Sequence, residues 1–156
     1  MIGIGFDAHR FAPKRKLVLG GVAIPYKYGL AGHSDADVLV HAIIDALFGA
    51  AGLRDIGVHF PDHDPRWQGV SSLKLLRLAA GLLRKKKLRI VNIDSCIIAE
   101  EPKVGPFVDR IREKIARAAG VNKAKVSVKG KTTEGMGFAG RREGIAALAV
   151  CLLEKQ

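Results

Sequence analysis

Hydrophobic and polar positions change period several times along the chain, and each change marks an element. Ile2 to His9 is a short apolar run and reads as a first strand. Leu17 to Leu19 and Val22 to Ile24 flank Gly20-Gly21, a hairpin signal. Pro25 to Gly32 is expected to be a loop. From Ser34, a residue type that caps helices, a mostly apolar stretch runs to about Ala51, where Gly52 ends it. Asp55 to Gln68 is polar, carries two prolines and is expected to be mobile. Ser71 to Lys86 has helical periodicity, and its basic end complements the helix dipole. Arg89 to Ala99 alternates like a strand. Phe107 to Ala119 is an amphipathic helix ended by Gly120. Lys125 to Lys129 reads as a strand, Gly130 to Gly144 as a glycine-rich loop, and Ile145 to Leu153 as a final buried strand. Strands and helices alternate in one layered α/β (α+β) system.

Two of these elements carry residues that do not suit a plain core. The helix from Ser34 is interrupted by Ser34, Asp37, His41 and Asp45, whose spacing of three and four places them on one face. Carboxylates on a buried face are costly unless something compensates them. On the first strand, Asp7 and His9 are two apart and point to the same side. One carboxylate and two imidazoles, Asp7, His9 and His41, make a three-ligand metal site with an open fourth position, and zinc suits that set. A single histidine is more often a satisfied core residue; the strand pair together with the striped helix favours a metal. The stretch His33-Ser34-Asp35-Ala36-Asp37 opens the same helix, where free backbone N–H groups and the dipole attract phosphate. An ordinary serine cap followed by acidic residues has the same appearance. The acidic loop from Asp55 to Asp64 either reaches a sugar hydroxyl or a cation, or is simply hydrophilic surface.

Composition narrows the classes. At 156 residues and 48% hydrophobic, the chain is expected to form one domain, 1–156, with a real core. Cys96 and Cys151 lie far apart in apolar runs and read as core thiols in a reducing compartment. No apolar run reaches a membrane span and no signal peptide opens the chain, so a cytoplasmic location is expected, with no membrane partner. The formal net charge of +11 clusters at Lys14-Arg15-Lys16, at Arg84 to Arg89 and at Arg141-Arg142. Such a surface attracts polyanions, although most of these residues read as solvated helix ends and loops. Aromatic residues make up 6% and no RNA-binding motif occurs, which counts against a nucleic-acid partner. Gly135 to Gly140 matches GxGxxG, but only sixteen residues follow Gly140, too few for a dinucleotide fold. Gly130-Lys131-Thr132 looks like the end of a phosphate loop, but Lys125 stands where the first glycine belongs.

Taken together, the blocks Gly5-Phe6-Asp7-Ala8-His9, Gly20 to Pro25, Gly32-His33-Ser34-Asp35-Ala36-Asp37-Val38, Asp55-Ile56-Gly57, Phe60 to Asp64, Ala99 to Lys103, Thr132-Thr133-Glu134 and Gly137 to Arg141 resemble one family in order and over the whole chain. It is the 2-C-methyl-D-erythritol 2,4-cyclodiphosphate synthase family of the non-mevalonate isoprenoid pathway. The resemblance implies a mixed four-stranded sheet with helices on one face, and a homotrimer with active sites between subunits. It implies a lyase reaction in which the 2-phosphate of a cytidine diphosphate substrate attacks the β-phosphorus, an eight-membered cyclic diphosphate closes, and CMP leaves. By this resemblance Asp7, His9 and His41 hold one Zn2+ per subunit. His33, Ser34 and Thr132 stabilise charge on the transferring phosphoryl group. Asp45, Asp55, Gly57, Phe60, Asp62 and Asp64 form the methylerythritol phosphate pocket, alongside Asp7, His9, His33 and Ser34. Ala99, Pro102, Lys103, Val104 and Gly105 cradle cytidine from an adjacent subunit. Lys131, Thr132, Thr133, Phe138 and Arg141 complete the diphosphate end. Glu134 helps hold a second divalent ion, Mg2+ or Mn2+. A zinc phosphodiesterase using water would employ the same ligands, and phosphorus NMR separates a cyclic product from two acyclic phosphates. A basic RNA-binding protein would have no need of Asp7, His9 and His41 together.

Overall fold

The computed structural model describes all 156 residues. Strand β1 (Ile2–Ala12) alternates strictly over its first half, with Ile2, Ile4 and Phe6 outward and Gly3 and Gly5 buried. A tight hairpin, β2 (Leu17–Leu19) and β3 (Val22–Ile24), follows. Its turn residues Gly20 and Gly21 have φ of +57° and +72°, a backbone that glycine adopts without strain. Helix α1 (Val38–Ala50) is nearly all buried. A short helix α2 (Ile56–His59) and one turn of 3-10 helix over Pro65–Trp67 lead to α3 (Ser72–Lys85). Strand β5 (Leu88–Ile98), helix α4 (Val108–Ala119), strand β6 (Val126–Lys131), the four-residue helix α5 (Gly137–Gly140) and strand β7 (Gly144–Lys155) complete the chain.

The main sheet has five strands, not the four expected. Gly29–Leu30, read from sequence as loop, forms strand β4 and pairs antiparallel with the end of β1, Leu30 opposite Phe11. Two residues are too few to show an alternation, so periodicity could not reveal it. The order is β4-β1-β7-β5-β6. Strands β5 and β6 run parallel and the other neighbours antiparallel, so the sheet is mixed. Helices α1, α3 and α4 cover one face, and a single cluster of 39 buried residues fills the space between.

Two further differences concern the loops around the site. Helix α1 starts at Val38 and is capped by Asp37, not Ser34, so residues 33–37 form a bent strap before the helix. The segment expected to be mobile folds into short capped elements. Asp55 caps α2, Asp64 caps the 3-10 turn, and Phe48, His59, Phe60 and Trp67 stack in sequence, with Phe60 and Trp67 edge-to-face at 5.1 Å.

Glycines 3 and 5 decide how close α1 comes to β1. A Cβ on Gly5 would lie 2.0 Å from the Ala42 carbonyl oxygen, and one on Gly3 2.1 Å from that of Ala46. Asp7 and His9 continue the same face of β1 just beyond these glycines. The close seating therefore sets His41, one turn into α1, against both.

Candidate metal centre

Asp7 Oδ2, His9 Nε2 and His41 Nδ1 form a small triangle. Its sides are 2.8 Å between His9 and Asp7, 3.1 Å between His41 and Asp7, and 3.2 Å between the two ring nitrogens. No other group of three or more His, Cys, Asp or Glu ligand atoms converges in this way. A tetrahedral zinc with ligands at about 2.0–2.2 Å separates neighbouring donors by roughly 3.3–3.6 Å, so the triangle needs only slight opening to accept an ion. His9 Nδ1 lies 2.5 Å from the Ala31 carbonyl oxygen. A carbonyl only accepts, so Nδ1 carries the hydrogen and Nε2 offers its lone pair inward when the ring is neutral. The three side chains are 27%, 17% and 12% exposed, which leaves one side open to a further ligand. The donor set and its spacing fit a divalent metal.

Electrostatics point the same way. Partial burial would raise the Asp7 carboxyl, but hydrogen bonds and charge from His41 and His9 outweigh it and hold the group well below the usual carboxylate range. Burial would lower His9, yet its hydrogen bond and ion pair with Asp7 raise it. On the far side of His41, Nε2 lies 2.9 Å from Ser72 Oγ and 3.2 Å from Ser34 Oγ.

The triangle opens into a cavity of about 220 Å³. His33, Ser34, Asp45, Gly57, Phe60 and Asp62 all line it, as the sequence reading expected. Asp55 and Asp64 do not. Asp55 is used in capping Val58 N–H, and Asp64 accepts from the backbone and side chain of Arg66. Asp37 is also redirected. Its fully buried carboxylate accepts from Gly20, Gly21 and Val40 N–H, tying the hairpin to the start of α1. Burial, then the charge of Asp35, push it up to about 6 against those three donors. The start of α1 thus already holds a carboxylate, which takes the Val40 N–H. Asp45 stays at the rim, where it accepts from Ile56 N–H at 2.7 Å, and burial raises its carboxyl. Sequence reasoning missed Trp67, which lines the same cavity. Only two buried side-chain polar atoms in the chain lack a partner, His33 Nε2 and Trp67 Nε1, and both belong to residues lining this cavity. Buried polar atoms without partners are costly, and a polar ligand here would satisfy them.

A second cavity, about 260 Å³, gathers Ala99, Pro102, Lys103, Val104, Gly105, Lys131 and Thr132. The parallel pairing of β5 with β6, Ile98 opposite Lys131, brings the two segments side by side. It shares no lining residue with the metal cavity. Thr133 and Glu134 sit just beyond it. Glu100 accepts from Thr133 N–H at 2.9 Å and Gly135 N–H at 3.2 Å, which folds the turn, and the Thr132 hydroxyl donates to Glu134 at 3.1 Å. Phe138 is 39% exposed and Arg141 pairs with Glu143 at 3.0 Å, so neither is tied to the second cavity within one chain.

Comparison with known proteins decides the family. The family model described as the YgbB family matches residues 1–154. The 2-C-methyl-D-erythritol 2,4-cyclodiphosphate synthase of Symbiobacterium thermophilum is 58% identical over 153 residues, 98% of each chain. The chain belongs to the YgbB family. Among solved structures, a CDP-bound 2-C-methyl-D-erythritol 2,4-cyclodiphosphate synthase shares 36% identity, with a TM-score of 0.90 over 99% of this chain and 100% of its own. The bifunctional IspDF of Campylobacter jejuni matches with a TM-score of 0.96 and 41% identity; this chain is covered to 99% and spans 42% of that one. Membership of the YgbB family makes the chain an enzyme of the cyclodiphosphate synthase class, and the converged triangle is the candidate metal site of that enzyme.

Proposed function

We propose that the protein closes 4-diphosphocytidyl-2-C-methyl-D-erythritol 2-phosphate into 2-C-methyl-D-erythritol 2,4-cyclodiphosphate in the non-mevalonate pathway. A 2-phosphate oxygen attacks the β-phosphorus, the bond from that phosphorus to the bridging oxygen of CMP breaks, and CMP leaves with the electron pair. The observation that carries this reading is the Asp7–His9–His41 triangle at the mouth of a cavity lined by His33 and Ser34, in a chain of this family. Asp7, His9 and His41 hold one zinc ion, which when bound supplies Lewis-acid polarisation and orients phosphate oxygens.

The remaining chemistry belongs to the chain. The reaction joins two anions, so catalysis needs positioning and charge neutralisation more than a strong base. His33 and Ser34 bind the phosphate and, with Thr132, stabilise charge on the transferring group. Asp45, Gly57, Phe60 and Asp62 hold the methylerythritol, and Asp55 and Asp64 shape that pocket from outside by capping its loops. Lys103 and the backbone from Ala99 to Gly105 take the cytidine and diphosphate. Solved relatives in CDP-bound form support that ligand class. Glu134 would help hold a second divalent ion, Mg2+ or Mn2+, which would neutralise charge on the diphosphate. Phe138 and Arg141 close this end. Residues 1–156 act as one domain, and the working unit is a cytoplasmic homotrimer in which the metal cavity of one subunit meets the cytidine cavity of the next. Support comes from the separation of the two cavities on one chain and from a broad exposed apolar sheet face.

Metal analysis with phosphorus NMR tests the reading. Wild type is expected to carry about one zinc per chain, as one three-ligand site implies, and to give a cyclic diphosphate plus CMP. His41→Ala is expected to fold, lose the zinc and lose ring closure. Full turnover by a zinc-free His41→Ala protein, or acyclic phosphates from wild type, would overturn it.

A further inference from the structure

The His41 ring touches the metal triangle with Nδ1 and two hydroxyls with Nε2. Which nitrogen carries the hydrogen decides which one is free to bind a metal, and only Nδ1 faces the triangle. Ser72 settles this. It is fully buried, and its hydroxyl has a single hydrogen. That hydrogen goes to Asp35 Oδ1, while the other Asp35 oxygen accepts Ser72 N–H at 3.0 Å. The carboxylate only accepts, so towards His41 Ser72 Oγ presents lone pairs, and at 2.9 Å the ring must donate. In the neutral ring Nε2 therefore carries the hydrogen and Nδ1 turns its lone pair towards Asp7 and His9. A hydrogen on Nδ1 instead would leave ring and Ser72 lone pairs facing each other at 2.9 Å, and only the protonated ring donates to Asp7 as well, at 3.1 Å. Ser34 Oγ, at 3.2 Å, already accepts Ala36 N–H and lies beside the same ring nitrogen.

We propose that Asp35 and Ser72 form a positioning relay that fixes the tautomer and orientation of His41 for metal binding. The relay also ties the metal ligand to the strap carrying His33 and Ser34, because Asp35 is the next residue of that strap and it anchors the first N–H of α3. The inference rests on the zinc reading above for its metal-binding consequence; the tautomer itself does not.

Two measurements test it on the 156-residue chain. The first is ring-nitrogen NMR of metal-free protein, which shows which nitrogen of the ring carries the hydrogen. Wild-type His41 is expected in the Nε2–H form, and Ser72→Ala as a mixture of both. The second is zinc affinity by chelator competition. Ser72→Ala is expected to bind about 10–100-fold more weakly, the usual cost of losing an outer partner of a metal ligand, and Asp35→Asn to weaken in the same direction. A purely structural role would lower the melting temperature of the metal-free variants without changing the tautomer. Wild-type zinc affinity in both variants, or an unchanged Nε2–H tautomer in Ser72→Ala, overturns the relay. Failure of wild type itself to bind zinc would instead sink the functional reading and leave the tautomer result standing.

Discussion

At the scale of single residues, the site is a balance of charge that a proton and a dication contest. Asp7 is held below its ordinary value of 3.8, so its contribution to folding is present above that pH and is lost as pH falls through the lowered folded value. His9 is raised above 6.5, so its contribution is complete below that pH and is lost as pH rises through the raised folded value. In metal-free protein the pair therefore stabilises most between these two ordinary values and weakens towards alkaline pH. Zinc needs the His9 lone pair, so binding competes with that proton and strengthens as it leaves. The melting-temperature increment of zinc over chelator is expected to grow from about pH 6 to about pH 8. A flat or shrinking increment would show that His9 does not face the ion. Asp37 makes the opposite kind of contribution: its carboxylate is spent on backbone N–H groups and not on the triangle. Asp37→Ala would orphan three buried N–H groups, and a loss of about 2–4 kcal/mol in denaturant unfolding is expected, with zinc stoichiometry unchanged.

At the scale of elements, the fit of α1 on β1 is what converts two sequence-distant motifs into one site. Gly5→Ala would drive a methyl into the Ala42 carbonyl and push the helix outward, carrying His41 from Asp7 and His9. Overpacking of this kind costs about 1–3 kcal/mol, and a fall in zinc affinity is expected with it. Gly49→Ala is the matched control. Its nearest neighbour, the Ile4 carbonyl oxygen, lies 3.6 Å from the added carbon, so no loss of zinc is expected and helix propensity favours alanine by about 1 kcal/mol. This level also shows where sequence reading succeeds and stops. The i, i+2 spacing of Asp7 and His9 and the i, i+4 spacing of His41 and Asp45 follow from backbone period alone, and those residues were placed together correctly. The same spacing put Ser34 and Asp37 on that stripe, and Ser34 does meet His41, at 3.2 Å, but the cap expected at Ser34 is Asp37, since several residues there can cap a helix. The choice fell to Asp37 through Gly20 and Gly21, some sixteen positions away, which no local pattern encodes. Asp55 and Asp64, expected in the pocket, accept from Val58 and Arg66 N–H three and two residues on, local contacts that an acidic loop residue makes as readily as it lines a pocket. The second cavity depends on the parallel register of β5 and β6 across an intervening helix; only the family resemblance, not periodicity, pointed to its residues.

At the scale of the whole molecule, the sheet face opposite the helices is the unfinished part of the chain. Ile2, Ile4 and Phe6 on β1 stand directly opposite Leu152, Val150 and Leu148 on β7, and their exposures run from 36% to 75%. An apolar ladder of six residues on the face that no helix covers is a surface for association, not for water. Charge flanks it: Lys129 Nζ pairs with Asp94 Oδ2 at 2.6 Å on the neighbouring strands, giving the face a polar edge. The metal triangle lies wholly within one chain, whereas the two cavities share no residue. Disrupting the face should therefore separate metal binding from turnover. The double variant Ile4→Asp, Val150→Asp places two like charges opposite each other on this ladder, which disfavours burial against another copy. Sedimentation is expected to show a shift from a three-chain to a one-chain mass. Zinc content should stay at that of wild type, and on the proposed inter-subunit arrangement ring closure should fall to background. A one-chain species that still closes the ring at the wild-type rate would place the whole reaction within a single subunit. In that case the apolar face would have to be explained by something other than catalysis.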